Sequence, residues 1–461
     1  MDSTIKNFFA AMKGKKIAFC GIGGSNLPLI EMFHQKGAIV TACDRRTQEK
    51  LGTTAEKLLR DGISLKLGED YLQNLDVDII FRTPGMKFHL PELDLARKQG
   101  IAVTSEMEVF FDLCPCKIYA VTGSDGKTTT TTIISEFLKA AGKKVHLGGN
   151  IGRPLLPEIE QIQPEDVAVV ELSSFQLISM RKSPQVAVVT NLSPNHLDIH
   201  KDMQEYIDAK KNIFLHQNAF SRTVLNADNE ITANFAEETR GQTFLFSRKS
   251  PCMSGAWLRE DGMIVIGDKQ EEVLHVTEIK IPGVHNVENY LAAISAVWGE
   301  VPVSVIRDVA RTFNGVAHRA EFVREVDGVK YYNDSIGTSP TRTIRGTLSL
   351  YDEKIILIAG GYDKKIPFDT LGPAIVQKVK ILILMGATAD KIEASVKASP
   401  EYKPGEPEIL RASSMEEAVG LAKQQAKSGD IVSLSPACAS FDLYPNFEAR
   451  GNHFKDLVNK L

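Results

Sequence analysis

The chain has 461 residues, 43% of them hydrophobic and 24% charged, with a formal net charge of −4. That length predicts roughly two to four domains with cores of their own. The acidic balance speaks against a nucleic-acid footprint, and the lack of any run of ~18 apolar residues speaks against a membrane span.

The first residues, MDSTIKNFFAAMKGKKIAFCGIGG, pass from a short amphipathic piece straight into a strand. They lack the apolar stretch and small-residue cleavage site of a secretory leader, so a cytoplasmic location is expected. The six cysteines fit that compartment: Cys20 and Cys43 end apolar strands, Cys114 and Cys116 form C-P-C, and Cys252 and Cys438 stand alone. None has zinc spacing, and reduced structural thiols are expected.

Residues 16–106 alternate apolar strands (KIAFCGIG, AIVTACD, VDIIFRTPG, IAVTSE) with helical stretches, the pattern of a parallel sheet with crossover helices. The loop FCGIGGSN leads from the first strand into the helical LPLIEMFHQKG, and Asp44 ends the next strand, which gives most of a dinucleotide fingerprint. Asn26 replaces its third glycine. Backbone N–H groups at the helix start would receive a diphosphate, Asp44 a ribose or base, and Arg45 and Arg46 would add charge. Thr83-Pro84-Gly85 would share that sheet edge. A glycine turn serving only strand-to-helix geometry stays open, as does the choice between nicotinamide and another nucleotide diphosphate.

Residues 107–315 repeat the pattern on a larger scale with KIYAVTG, VAVVELSS, QVAVVTNLS and RTVLNAD as buried strands. VTGSDGKTTTTTIISEF carries Gly123, Gly126, Lys127 and Thr128 between a strand and a helix, two residues tighter than the usual P-loop. The glycines free backbone N–H groups for an anion, Lys127 meets the outer phosphates, and Thr128 offers a hydroxyl to Mg2+. Glu171 ends a strand where such enzymes keep a metal-binding acid, or is a solvated acid at a strand end. Asn150 sits in the glycine-rich turn HLGGNIGRP. His196 and His200 are four apart, but Leu197 stands where a zinc protease needs glutamate, and Pro194 and Asn195 favour a loop. On the helical DMQEYIDAKKNIF, periodicity alone makes Lys210 a solvated lysine.

Residues 316–461 open with a hairpin, AEFVREVDGVKYYND, turned at Asp327-Gly328. The strands EKIILIAGG, VKILILMG and DIVSLSPA follow, with helical stretches such as SMEEAVGLAKQQA between them.

In order, VTGSDGKTTT, GGNIGRP, ELSSFQL, NLSPNHLDIH, GVHNVENYLAA and AHRAE resemble the Mur ligases, the ATP-dependent amino-acid ligases of peptidoglycan precursor synthesis. Their loop is the short T-G-x-x-G-K-[ST] form. LSPACASFDLYPNFEARG, with ELSSFQL, is most similar to the branch that adds D-glutamate to UDP-N-acetylmuramoyl-L-alanine. The resemblance spans nearly the whole chain. It implies an α/β fold of three domains: a Rossmann-like UDP-substrate domain over 1–106, a P-loop-type ATP/Mg2+ domain over 107–315, and a Rossmann-like amino-acid domain over 316–461.

The resemblance further implies roles. Lys127 contacts the transferring phosphate, with Gly123, Gly126, Thr128 and Thr129 around ATP. Thr128 and Glu171 hold one Mg2+, His196 belongs to the second metal region, and Lys210 matches a lysine that is carbamylated. Asn286 and Asn289 lie near the adenine, and Arg319, beside His318, and Asp334 near the ribose. Thr338, Lys364, Ser440 and Phe447 match the D-glutamate positions, and Ser25, Asp44, Arg46 and Gly85 the UDP site, with Asn150 at the substrate edge. The expected enzyme is monomeric, with no nucleic-acid or membrane partner.

Two residues depart from the family pattern. Asp125 stands where asparagine is usual, and Ile336 where lysine is common, so Arg342, Lys364 or Lys365 would have to hold the glutamate carboxylate. The alternatives are a folylpolyglutamate-synthase-like or other Mur-type ligase, and a nicotinamide-dependent oxidoreductase with a regulatory ATP domain.

Overall fold

A computed structural model of the chain describes residues 3–193 and 199–461. Two compact units emerge: Met1–Val276 with Val287–Val309, and Thr277–Asn286 with Ala310–Leu461.

The first sheet of the first unit is wholly parallel. It holds β1 (Lys16–Cys20), β2 (Ile39–Asp44), β3 (Ser64–Leu67), β4 (Ile79–Arg82) and β5 (Ala102–Thr104), in the order β3-β2-β1-β4-β5. Phe19 stacks on Phe81 at 4.8 Å and meets Phe33 edge-on at 5.5 Å, so aromatic packing ties sheet to helix. The edge strand β3 gives no apolar run, because its residues stay partly exposed.

The second sheet is also parallel: β6 (Lys117–Thr122), β7 (Val145–Gly149), β8 (Val167–Glu171), β9 (Val186–Val189), β10 (Arg222–Asn226) and β11 (Gln242–Phe246), ordered β11-β10-β9-β6-β8-β7. The strand order reverses at β6, so the loop after it opens at a topological switch point, between the ends of β8 and β9. A small antiparallel sheet follows, β12 (Ala256–Leu258), β13 (Met263–Ile266) and β14 (Glu271–His275).

The second unit carries a mixed sheet. β15 (Glu321–Val326) and β16 (Val329–Asn333) form the expected antiparallel hairpin, with Asp327 at φ +53° and Gly328 at φ +77°. The remaining strands run parallel in the order β15-β16-β20-β17-β18-β19, with β17 (Ile355–Ala359), β18 (Val379–Leu384), β19 (Glu408–Arg411) and β20 (Ile431–Leu434). All six cysteines are free thiols. No helix among the described residues is long and apolar enough to cross a membrane.

Candidate active site

The loop after β6 is built by its backbone. Gly123 has φ +151° and Gly126, the N-cap of helix Lys127–Ala140, has φ +79°. A Cβ at Gly123 would lie 1.9 Å from Thr190 Oγ1, and one at Gly126 2.4 Å from Asn289 Oδ1. Glycine is therefore required twice over, by conformation and by space. Thr190 Oγ1 donates to the Asp125 carbonyl at 2.6 Å, and Asn191 both accepts from the Asp125 N–H and donates to its carbonyl. The Asp125 side chain stays exposed. The fold thus uses this position through its peptide groups and leaves its side chain unconstrained, which is why an acid is tolerated there. Thr128 and Thr129 are half-buried in the first helical turn, and Thr130 Oγ1 donates to Asn289 Oδ1. Lys127 Nζ donates to the Ser124 carbonyl at 2.9 Å.

Glu171 pairs in register with Val121, which sets it beside this loop. It is buried; its Oε1 accepts from Asn150 Nδ2 at 2.8 Å, and its Oε2 has no hydrogen-bond partner among the described residues. The solvated-acid reading is thereby excluded. Asn150 follows β7 directly, so half of the expected glycine-rich turn is strand.

Lys210 overturns its periodicity reading: it is 2% exposed. The helix Met203–Lys211 turns Tyr206, Ala209 and Lys210 inward. Lys210 Nζ donates to Thr122 Oγ1 at 3.0 Å and to the Gly123 carbonyl at 2.9 Å, and lies 4.9 Å from the Tyr206 ring centre. Burial pushes its ammonium well below the ordinary lysine range; the Lys127 charge adds to this and Glu171 opposes it. The helix carries a polar residue on its buried face, so the apolar stripe that marks burial is broken there.

His196 lies outside the described residues. His200 is buried, hydrogen-bonded to Ser174 and Glu205 and stacked on Phe175 at 5.1 Å, a histidine packed between helices Ser174–Leu177 and Met203–Lys211. Tyr206 was not singled out by the sequence; its hydroxyl bonds Ser124 Oγ at 2.9 Å and braces the loop.

At the first sheet's carboxyl edge, Asp44 Oδ2 accepts from the Ile22 N–H at 2.7 Å and pairs with Arg46, which also donates to the Ile22 carbonyl. Burial raises the Asp44 carboxyl, but Arg46 and the two backbone N–H groups outweigh it and hold it below the usual range. Arg45 turns away to Glu69. Asn26 Nδ2 donates to the carbonyls of Cys20 and Gly21, so the residue in the third glycine's place ties down the strand end. Ser25 is half-buried in the turn and Gly85 exposed in the loop after β4, both on this edge.

In the second unit, Asp334 is buried, with Oδ2 accepting from Thr347 and Ser435; burial lifts its carboxyl to about 6 against those bonds. His318, at φ +62°, shares a hydrogen bond with Asn333 and meets the Phe447 ring edge-on. Arg319 follows it, and Asn286 donates to the Pro282 carbonyl. Lys364 Nζ donates to the Thr338 carbonyl at 3.1 Å, and Arg342 to the Ile336 carbonyl. Burial and then the Arg342 charge lower the Lys364 ammonium. Lys365 is exposed, and its N–H donates to Asp363 Oδ1. Ser440 is buried in the turn before Phe447. Arg450, absent from the sequence reading, donates to the carbonyls of Ser335, Cys438 and Ala439 and fixes this edge from below.

Residues 121–297 match the family model of the Mur ligase middle domain, and residues 318–438 that of the Mur ligase glutamate ligase domain. The chain is 54% identical over 465 residues to the UDP-N-acetylmuramoylalanine–D-glutamate ligase of Acetivibrio thermocellus, with all of both chains covered. To the protein of that name from Clostridium beijerinckii it is 52% identical over 462 residues, again covering both chains fully. Among solved structures, the UDP-N-acetylmuramate–alanine ligase of Thermotoga maritima shares the fold with a TM-score of 0.58 at 18% identity, covering 97% of this chain and 99% of that one. A pseudomurein peptide ligase type C from Methanothermus fervidus does so at 0.53 and 19% identity, covering 97% and 100%. The oxidoreductase alternative finds no support in these likenesses.

Proposed function

Because the chain belongs to the Mur ligase family, we propose that it joins D-glutamate to UDP-N-acetylmuramoyl-L-alanine at the expense of ATP, in cytoplasmic peptidoglycan precursor synthesis. The full-length identity of 54% to a ligase of that name carries the reading. The three-domain division at 1–106, 107–315 and 316–461 and a monomeric enzyme belong to the same proposal.

A free carboxylate is a poor electrophile, so the L-alanyl carboxylate first takes the γ-phosphoryl group of ATP. The D-glutamate amine attacks the acyl phosphate, and the tetrahedral intermediate collapses to the amide with loss of phosphate. Catalysis is then positioning plus charge neutralisation. The N–H groups of Gly123, Gly126 and the helix start receive the phosphates, those of Ser124 and Asp125 being held by Asn191; Lys127 follows the transferring group, and Thr128 and Thr129 close the helix start around it. Asn286 and Asn289 bind the adenine, and Arg319 and Asp334 the ribose side. Ser25, Asp44, Arg46 and Gly85 take UDP, and Asn150 the acceptor. Thr338, Lys364, Ser440 and Phe447 take D-glutamate, with Arg342 and Lys364 supplying the cationic charge that Ile336 lacks.

The unpartnered buried Oε2 of Glu171 fits a cation partner. Thr128, Glu171, His196 and a carbamylated Lys210 would hold Mg2+, which supplies charge neutralisation when bound. Among the described residues, no three His, Cys, Asp or Glu side chains cluster.

Acceptor labelled with 18O in its alanyl carboxylate tests the pathway. The reading requires label in the released phosphate; unlabelled phosphate alongside labelled amide would overturn it.

A further inference from the structure

Arg82 ends β4, one residue before the Thr83-Pro84-Gly85 loop, and is 1% exposed. Its Nη2 donates to the Phe175 carbonyl at 2.9 Å and to Ser179 Oγ at 2.8 Å. Phe175 and Ser179 lie on the segment that leaves β8 directly after Glu171. Ser179 Oγ donates in turn to Glu108 Oε2, which also accepts from Ser105 at the start of helix Glu106–Leu113. One buried guanidinium therefore joins the nucleotide edge of the first sheet to the phosphate edge of the second. Among the described residues no carboxylate pairs with it directly, Glu108 being reached through Ser179, and burial depresses its basicity. A buried charge held this way is a poor stabiliser, and an apolar side chain of similar volume would serve packing as well.

We propose that Arg82 is a positioning residue that sets the spacing between these two edges, and so the fit of a substrate that must reach from one to the other. The inference rests on the functional reading above, in which UDP-N-acetylmuramoyl-L-alanine spans both edges.

Binding of UDP alone and of ATP alone is measured by calorimetry, beside the KM for UDP-N-acetylmuramoyl-L-alanine, in wild type, Arg82→Met, Arg82→Lys and Ser179→Ala. Each short ligand uses one edge, so its affinity in Arg82→Met should stay within about twofold. The KM for the spanning substrate should rise ~10-fold or more, with partial recovery in Arg82→Lys. Ser179→Ala keeps the bond to Phe175 and should raise that KM ~3-fold, which decides the matter if Arg82→Met does not fold. Unchanged KM, or equal weakening of all three ligands, overturns the inference. No turnover by the wild type overturns the functional reading instead, and this inference with it.

Discussion

Lys210 Nζ donates to the carbonyl oxygen of Gly123 at 2.9 Å, so a buried lysine from a distant helix touches the first glycine of the loop after β6. Burial at this place is costly and is offset by two hydrogen bonds. Lys210→Ala should lower turnover ~10²- to 10³-fold. If the working group is a carbamate, excess bicarbonate or a short-chain carboxylate restores part of it. Full activity in the variant would remove Lys210 from the mechanism.

The loop after β6 separates side-chain from backbone roles. Asp125→Asn should change the KM for ATP less than ~3-fold at physiological salt, because the side chain is exposed and screened. Asn191→Ala removes both bonds to the Asp125 peptide groups and should raise that KM ~10-fold. Steady-state kinetics with varied ATP compare the two; the reverse ranking contradicts the backbone clamp.

Arg342 and Lys364 donate to carbonyls of the Ile336–Thr338 turn, whereas the Lys365 N–H is tied to Asp363. Alanine at either of the first two should raise the KM for D-glutamate ~10-fold with the KM for ATP unchanged. Lys365→Ala should leave both constants within about twofold. A dominant Lys365 effect would place the carboxylate elsewhere.

Glu106 is buried and its Oε1 accepts from the N–H groups of Leu155 and Leu156. Burial raises its carboxyl to about 7 from an ordinary 4.5, with those two bonds opposing. The folded state keeps its proton where the unfolded chain has lost it. Stability therefore falls as pH rises between those values, by up to roughly 3 kcal/mol. Glu106→Gln keeps the acceptor and cannot ionise. Denaturant midpoints at about pH 5 and about pH 8 should show the variant gaining on wild type at the higher pH. Parallel profiles would contradict this.

Apolar runs made the central strands legible: KIAFC, VAVVE, IILIA and VKILIL are buried almost throughout. Edge strands such as SLKL and EILR were not, because half-exposed positions break the apolar run. Glu171 was legible as an acid at a strand end, and its burial was not. Tyr206, Arg82, Arg450 and the burial of Lys210 escaped for a common reason: each polar side chain bonds groups outside its own helix or strand. Local periodicity carries no trace of such partners. Asn26, which looked like a defect in a fingerprint, bonds the strand-end carbonyls behind it.

Phosphate release in the presence of ATP and UDP-N-acetylmuramoyl-L-alanine, measured against D-glutamate, L-glutamate, L-lysine and meso-diaminopimelate, tests the central claim most directly. The account predicts release that depends on the acceptor and on D-glutamate together, with little from the other three. Equal turnover with L-glutamate, or none with D-glutamate, would contradict it.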